Sequence, residues 1–297
     1  MISEDMSLVS DGPGGSDRPA WGADEVCVTF GKTVALDCVS LSAVPGQVTA
    51  VVGGDGAGKS TLLRCLAGVL APDSGVVRHP PKERTGYLPA TSGIYPDLTV
   101  AENLDFRAQG YGMAKQAASE RASEYLDRAG LAAASDRLAG QLSGGMRQKL
   151  AVIAAMLHHP DLIVLDEPTT GVDPVSRSGL WWLIARAAAE GCAIVLATTY
   201  LDDAERCASV LVLDSGTVLA SGTAEKIIAA MPGSLRVMPT RPLSAAARSW
   251  RRAGMWRVWD PEPLDGAAGP ADGQMVAPDL QDAVTVAAVA SALGDAP

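Results

Sequence analysis

The sequence predicts an α/β fold: a parallel sheet covered on both faces, with a helical insertion and a small α+β appendage after it. Three observations carry this expectation. Short apolar runs at Val48–Gly53, Asp161–Pro168 and Cys192–Thr199 are too continuous for strands with one wet face. Helical stretches separate them, the alternation of parallel strands joined by crossovers. Hydrophobic residues make up 47% of the 297, enough for a sizeable core and too many for a disordered chain.

Each element follows from local chemistry. Residues 1–20, with Gly and Pro crowded at 12–15, read as a flexible tail. Between about Ala101 and Gly140 the chain is rich in Ala, Glu, Arg and Leu, which predicts the helical insertion. Thr99 with Glu102 makes a capping box ahead of it. Ser209–Gly222 reads as two strands around a Ser-Gly turn. After Met231 the composition shifts. Arg236, Arg241, Arg248, Arg251, Arg252 and Arg257 fall in 232–259 without an acid, and residues 260–297 hold seven acids and no base. This tail reads as strand Leu235–Met238, helix Leu243–Ala253, strand Met255–Trp259, strand Gln274–Val276 and helix Leu280–Leu293. The arginines read as a solvated face, contact with anionic lipid or a partner being the alternative. Trp181 and Trp182 are expected to pack on the sheet, and Trp250, Trp256 and Trp259 to form the appendage's own core. The division is therefore a tail over 1–20, a main domain over 21–230 with a helical subdomain near 95–155, and a small domain over 231–297.

Charge and composition exclude several functions. With 24 Lys+Arg against 34 Asp+Glu, the net charge of −10 argues against nucleic acid as a partner. No apolar run approaches the roughly 18 residues that span a bilayer. The N-terminus has acids where a signal peptide needs bases. Five cysteines, odd in number and without Cys-x-x-Cys, suit reduced cytosolic thiols.

Gly53-Gly54-Asp55-Gly56-Ala57-Gly58-Lys59-Ser60-Thr61 fits G-x-x-x-x-G-K-[ST], with an apolar strand before it and an amphipathic stretch after it. Glycines let successive backbone N–H groups curl round a phosphate, and the following helix directs its positive end at the anion. Lys59 would charge-pair with the β- and γ-phosphates, and Ser60 would offer its hydroxyl to Mg²⁺. Leu162–Leu165 is a buried run ending in Asp166 and Glu167, at the strand end where α/β folds bind ligands. Asp166 would hold Mg²⁺ and Glu167 would polarise an attacking water.

Leu142-Ser143-Gly144-Gly145-Met146-Arg147-Gln148 resembles the signature sequence of ABC-type ATPases. A Ser N-cap alone would not call for the paired glycines. Thr169-Thr170-Gly171-Val172-Asp173-Pro174 resembles the dimer-contact loop of that family, and Asp173 and Pro174 also suit a helix start. Phe30, before Gly31, matches the family's adenine-stacking aromatic; core packing is the alternative. The resemblance covers about Asp24 to Ala230. It implies a RecA-like P-loop NTPase core, ATP and Mg²⁺ as ligands, and ATP sandwiched between one phosphate loop and the Ser143–Gly145 segment of a second subunit, in a homodimer or heterodimer. It also implies a transmembrane permease partner, hence a cytoplasmic position on the inner face of the membrane. Ser92–Leu104 falls where the family receives a helix of that partner. Pro278–Ala283 resembles the C-terminal extension of drug-exporter ATPases.

Two positions depart from the family pattern. Ala90 stands where Gln is usual, and Thr199 where a His usually contacts the γ-phosphate. His79, beside prolines, and His158 and His159, read as helix-end cations, cannot substitute. The replaced His, with Asp55–Lys59, Thr170–Arg177 and Tyr200–Cys207, resembles the first half of tandem bacterial efflux ATPases. The expected function is the ATP-hydrolysing subunit of an exporter; the alternative is a hydrolysis-impaired subunit in a composite dimer with an active ATPase. A DNA-repair or translation ABC protein would need long coiled coils or a second cassette.

Overall fold

The computed structural model describes residues 21–242, 245, 248–261 and 273–294. Its strands are β1 (Trp21–Phe30), β2 (Thr33–Ala43), β3 (Val48–Val52), β4 (Ser74–Arg78), β5 (Thr85–Leu88), β6 (Leu162–Asp166), β7 (Ala193–Thr198), β8 (Ser209–Asp214), β9 (Thr217–Gly222), β10 (Ser234–Met238), β11 (Ser249–Arg252), β12 (Met255–Asp260) and β13 (Gln274–Met275). Its α-helices are α1 (Lys59–Leu66), α2 (Val100–Gly110), α3 (Lys115–Arg128), α4 (Gly144–Met156), α5 (Pro174–Ala189), α6 (Leu201–Ala204), α7 (Ala224–Ala229) and α8 (Leu280–Leu293).

The central sheet runs β5-β6-β7-β3-β8-β9, parallel throughout except for β9. Its inner strands are buried along most of their length and mainly apolar because each feeds two cores, with Thr49 the one polar residue inside β3. Val48, Ala50 and Val52 face one core with Ile163, Leu165, Ile194 and Leu196; α2 to α5 fill it. Val51, Leu162, Val164, Val195 and Leu211 face the other. That second core is closed by α1 and by an antiparallel sheet in the order β2-β1-β4. The antiparallel sheet escaped the sequence reading because bulges shift the β1–β2 register at three places and blur its alternation. The predicted two-strand reading of Ser209–Gly222 matches β8 and β9, and the insertion carries α2 and α3. Thr99 and Glu102 form both bonds of the capping box.

The remaining strands form a sheet in the order β11-β12-β10-β13. Residues 249–252 of the predicted helix Leu243–Ala253 are strand β11 instead; positions 243, 244, 246 and 247 lie outside the described residues. Ala253 and Gly254, at φ 49° and 83°, make a two-residue turn that pairs β11 with β12, and this pairing overrides helical propensity. The arginines form a solvated face only in part: Arg241 and Arg251 are exposed, whereas three others are paired with acids. Arg236 donates to both Asp260 oxygens at 2.7 and 3.0 Å, Arg252 to Asp279 at 2.8 Å and Asp282 at 3.2 Å, and Arg257 to Asp282. Three arginines of the basic stretch thus pair with Asp260, Asp279 and Asp282 of the stretch that follows. Leu235 and Trp259 form a small core with Val286 and Ala290, Trp250 packing against it. Trp256 lies outside that cluster, under Arg241. Leu280 and Ala283, on the same helix as Val286, enter the main core.

Trp181 is buried as expected, but Trp182 is 40% exposed beneath Arg128. The Trp181 indole Nε1 donates to Asp203 at 2.6 Å. Buried Asp203 also accepts from Thr169 (2.6 Å), Thr198 (3.3 Å) and Arg177 (3.1 Å). One carboxylate therefore ties β7, α5, α6 and the segment after β6. Removing it leaves a half-buried guanidinium, two buried hydroxyls and a buried indole N–H without their acceptor. Asp203→Ala should cost about 3–5 kcal/mol of stability, read as a lower midpoint in urea unfolding; an unchanged midpoint contradicts the assignment.

Candidate functional site

β3, β6 and β7 lie side by side, and their C-terminal ends carry the predicted site. After β3 the chain turns through Gly53–Gly58 into α1. The outer glycines are fixed by packing: a Cβ on Gly53 would fall 2.3 Å from the Leu213 carbonyl oxygen, and one on Gly58 2.5 Å from that of Ala35. Gly54 and Gly56 face open space, and Gly56 at φ 78° has the left-handed backbone that glycine allows. Asp55 is exposed on this rim and Ala57 is buried beneath it. α1 has neither a side-chain cap nor an acid in its first turn, so its N–H groups remain available to an anion. Lys59 and Ser60 open this helix, followed by half-buried Thr61. Buried Lys59 donates from Nζ to the carbonyl oxygens of Gly53 (2.8 Å) and Gly54 (2.9 Å).

Asp166 ends β6, 2% exposed, and its Oδ1 is buried without a hydrogen-bond partner. Burial pushes its carboxyl above the usual carboxylate range; a bond from Ser60 opposes this and the Glu167 charge adds to it. A buried carboxylate with an orphaned oxygen, beside the half-buried Ser60 hydroxyl, fits a hard cation such as Mg²⁺. Glu167 takes φ 52°, strained for a residue with a side chain. Its N–H donates to Ala197 O at 3.1 Å, and its carboxylate accepts from Thr170 at 2.8 Å and lies 4.0 Å from Lys59 Nζ. Lys59, Ser60, Asp166 and Glu167 therefore form one cluster.

A second cluster gathers at the N-termini of α4 and α5. Ser143 caps α4, accepting from Met146 N at 3.3 Å. Asp173 caps α5, accepting from Val175 N at 3.1 Å and Ser176 N at 3.0 Å, and the bonds from Ser176 hold its carboxyl below the usual range. The two signature glycines differ in role. A Cβ on Gly145 would press on Ser176 at 2.9 Å, so Gly145 lets the helices approach, whereas exposed Gly144 has only Gly171 O at 3.8 Å. Gln148 joins the clusters by donating to Glu167 O at 3.3 Å. Its place on the fourth helical position after Gly144 is a signal that sequence reasoning passed over, as are the hydroxyl of Thr170 and the buried carboxylate of Asp203.

The other expected residues sit apart. Phe30 is 51% exposed at the β1–β2 turn, which removes core packing as its role. Thr199 and Ala90 are exposed just beyond β7 and β5. His158 is no helix-end cation: it stacks on Tyr111 with ring centroids 3.5 Å apart, and burial pushes it down to about 4. Burial also lowers His159.

A family model described as ABC transporter matches residues 36–170. The Escherichia coli (strain K12) protein named "Probable multidrug ABC transporter ATP-binding protein YbhF" is 40% identical over 228 residues, covering 73% of this chain and 39% of that protein. The chain thus spans about two fifths of that relative's length. The Nod factor export ATP-binding protein I of Ralstonia nicotianae is 33% identical over 228 residues, with 73% and 71% covered. Among solved structures, an ATP-binding subunit of an ABC transporter superposes with a TM-score of 0.65 at 28% identity, covering 70% of this chain and 92% of that one.

The orphaned Asp166 gives a test that needs no transport assay. Asp166→Asn relieves a buried charge, so the nucleotide-free chain should melt higher, by about 2–4 °C per kcal/mol relieved, while Mg²⁺ should no longer strengthen nucleotide binding. A variant that melts lower and keeps the Mg²⁺ effect contradicts this geometry.

Proposed function

The chain belongs to the ABC transporter family of ATP-binding proteins, and from that premise we propose that it is the ATP-hydrolysing subunit of an exporter, driving a separate transmembrane permease. The cluster of Lys59, Ser60, Asp166 and Glu167 below an open, uncapped phosphate loop carries this reading. Gly53 to Thr61 cradle the phosphates. Lys59 exchanges its two carbonyl partners for phosphate oxygens. Ser60 and Asp166 hold Mg²⁺, which neutralises phosphate charge. Glu167 orients the attacking water, and its strained backbone and the Thr170 hydroxyl fix its aim. Exposed Phe30 stacks on the adenine.

The outward faces of Ser143 and Gly144 suit a second subunit's γ-phosphate. Gly145 and Asp173 hold the helix ends that present them. The partner is another copy or a related ATPase. The segment Ser92–Leu104, which leads into α2 through the Thr99 cap, is proposed as the permease contact. That places the chain at the inner face of the membrane; among the described residues no helix is long and apolar enough to cross one. Residues 231–297 act as an appendage joined to the main core through α8.

Lys59→Ala should weaken ATP binding by about 1.5–3 kcal/mol in calorimetry, the worth of a charge-assisted contact; unchanged affinity contradicts the phosphate-loop assignment. Ala90 supplies no donor for charge spreading over the γ-phosphoryl oxygens, and Thr199 supplies a single short hydroxyl. A missing donor costs roughly 10²–10³ in rate. The chain should therefore bind Mg-ATP and turn it over slowly, and Ala90→Gln with Thr199→His should raise turnover at least about tenfold. The alternative, a hydrolysis-impaired subunit, draws on these same two positions; no acceleration in the double variant, with or without an ATPase partner, contradicts the role given to them.

A further inference from the structure

The β1–β2 ladder places a second set of ligand-like side chains away from the phosphate loop. Val26 pairs with Val39 and Val28 with Leu36, so one residue of β1, Cys27, faces two of β2, Asp37 and Cys38. Leu36 and Val39 are both fully buried. Three apart on an unbroken strand, they would point to opposite faces. The bulge lets both enter the core and turns the two intervening side chains outward. Cys38 accordingly takes φ 52°. The outcome is a compact donor set: Cys27 Sγ and Cys38 Sγ are 3.5 Å apart, and an Asp37 oxygen lies within 4.8 Å of both. Among the described residues no other His, Cys, Asp and Glu side chains gather three donors this closely.

We propose that Cys27, Asp37 and Cys38 form a surface binding site for a thiophilic divalent cation, Zn²⁺. Two sulfurs bound to tetrahedral zinc at about 2.3 Å each lie about 3.8 Å apart, close to the spacing already present. Two thiolates and one carboxylate favour zinc over Mg²⁺ or Ca²⁺, which take oxygen ligands. The Cys38 N–H donates to Cys27 Sγ at 3.4 Å, and Ser74 pairs opposite Cys27 in the β1–β4 ladder, so backbone groups already position one sulfur. Binding replaces two S–H bonds by two Zn–S bonds and releases two protons. Water completes the coordination on the exposed side. The site adjoins the nucleotide loop: Asp37 N–H donates to Gly216 O at 2.9 Å, and Gly216 N–H to Ala57 O at 3.1 Å. A bound ion would therefore pin β2 where it backs the phosphate loop.

The test uses the full chain without nucleotide, in a non-thiol reductant, titrated with Zn²⁺ against a chromophoric chelator. Co²⁺ serves as a spectroscopic probe of thiolate ligation. One ion per chain is expected, with sulfur-to-cobalt charge transfer. Cys27→Ser and Cys38→Ser should each weaken Zn²⁺ binding about tenfold or more, and Asp37→Asn less, with the circular dichroism of the wild type retained. The triple replacement of buried Cys65, Cys192 and Cys207 by Ala serves as the opposite control and should leave uptake intact, provided its circular dichroism is preserved. Absence of Zn²⁺ uptake by the reduced wild-type chain overturns the proposal, as does uptake that survives both outward-cysteine variants. Neither result depends on ATP, so failure here leaves the proposed function untouched.

Discussion

The central constraint is that the parallel strands β3, β6, β7 and β8 are buried on both faces. Alternate residues of each strand serve different cores, so sliding a strand by one residue would exchange its contributions to both. This register carries Gly53, Asp166 and Thr198 to the same edge of the sheet. The glycine loop, the paired carboxylates and the Thr198–Thr199 segment share the rim at the carboxyl ends of the strands, where α/β sheets bind ligands. Asp203 ties the elements that follow β6 and β7 together through four side chains.

Much of this was legible in the sequence because the relevant signals are local. A strand–glycine loop–helix order, a Ser before two glycines, and two acids ending an apolar run each state their own geometry. The antiparallel sheet was not legible, since its bulges break the period on which strand reading depends. Nor was β11, which follows the alanine run at 245–247 and reads as its helical continuation until β12 pairs with it. The arginines of 236–257 looked like a surface because their acids lie far along the chain; only folding brings Asp260, Asp279 and Asp282 to them. The different surroundings of Gly144 and Gly145 were not legible either, since they depend on the position of Ser176.

Within the site the two clusters have different characters. The Lys59 cluster is buried, strained and carries an unsatisfied oxygen, features that cost stability and suit a charged ligand. The Ser143 cluster is internally satisfied by caps and presents its free face outward. One chain therefore holds a buried charged cluster and a separate outward-facing helix end, a pairing consistent with the proposal that a second subunit completes each site.

That completion is measured most directly by light scattering of Glu167→Gln with Mg-ATP. Removing the group proposed to orient water should leave ATP bound and accumulate a dimer, and adding Ser143→Arg should abolish it by a clash at the outward face. A Glu167→Gln chain that stays monomeric with saturating ATP, alone and with a candidate ATPase partner, would contradict the shared-site account.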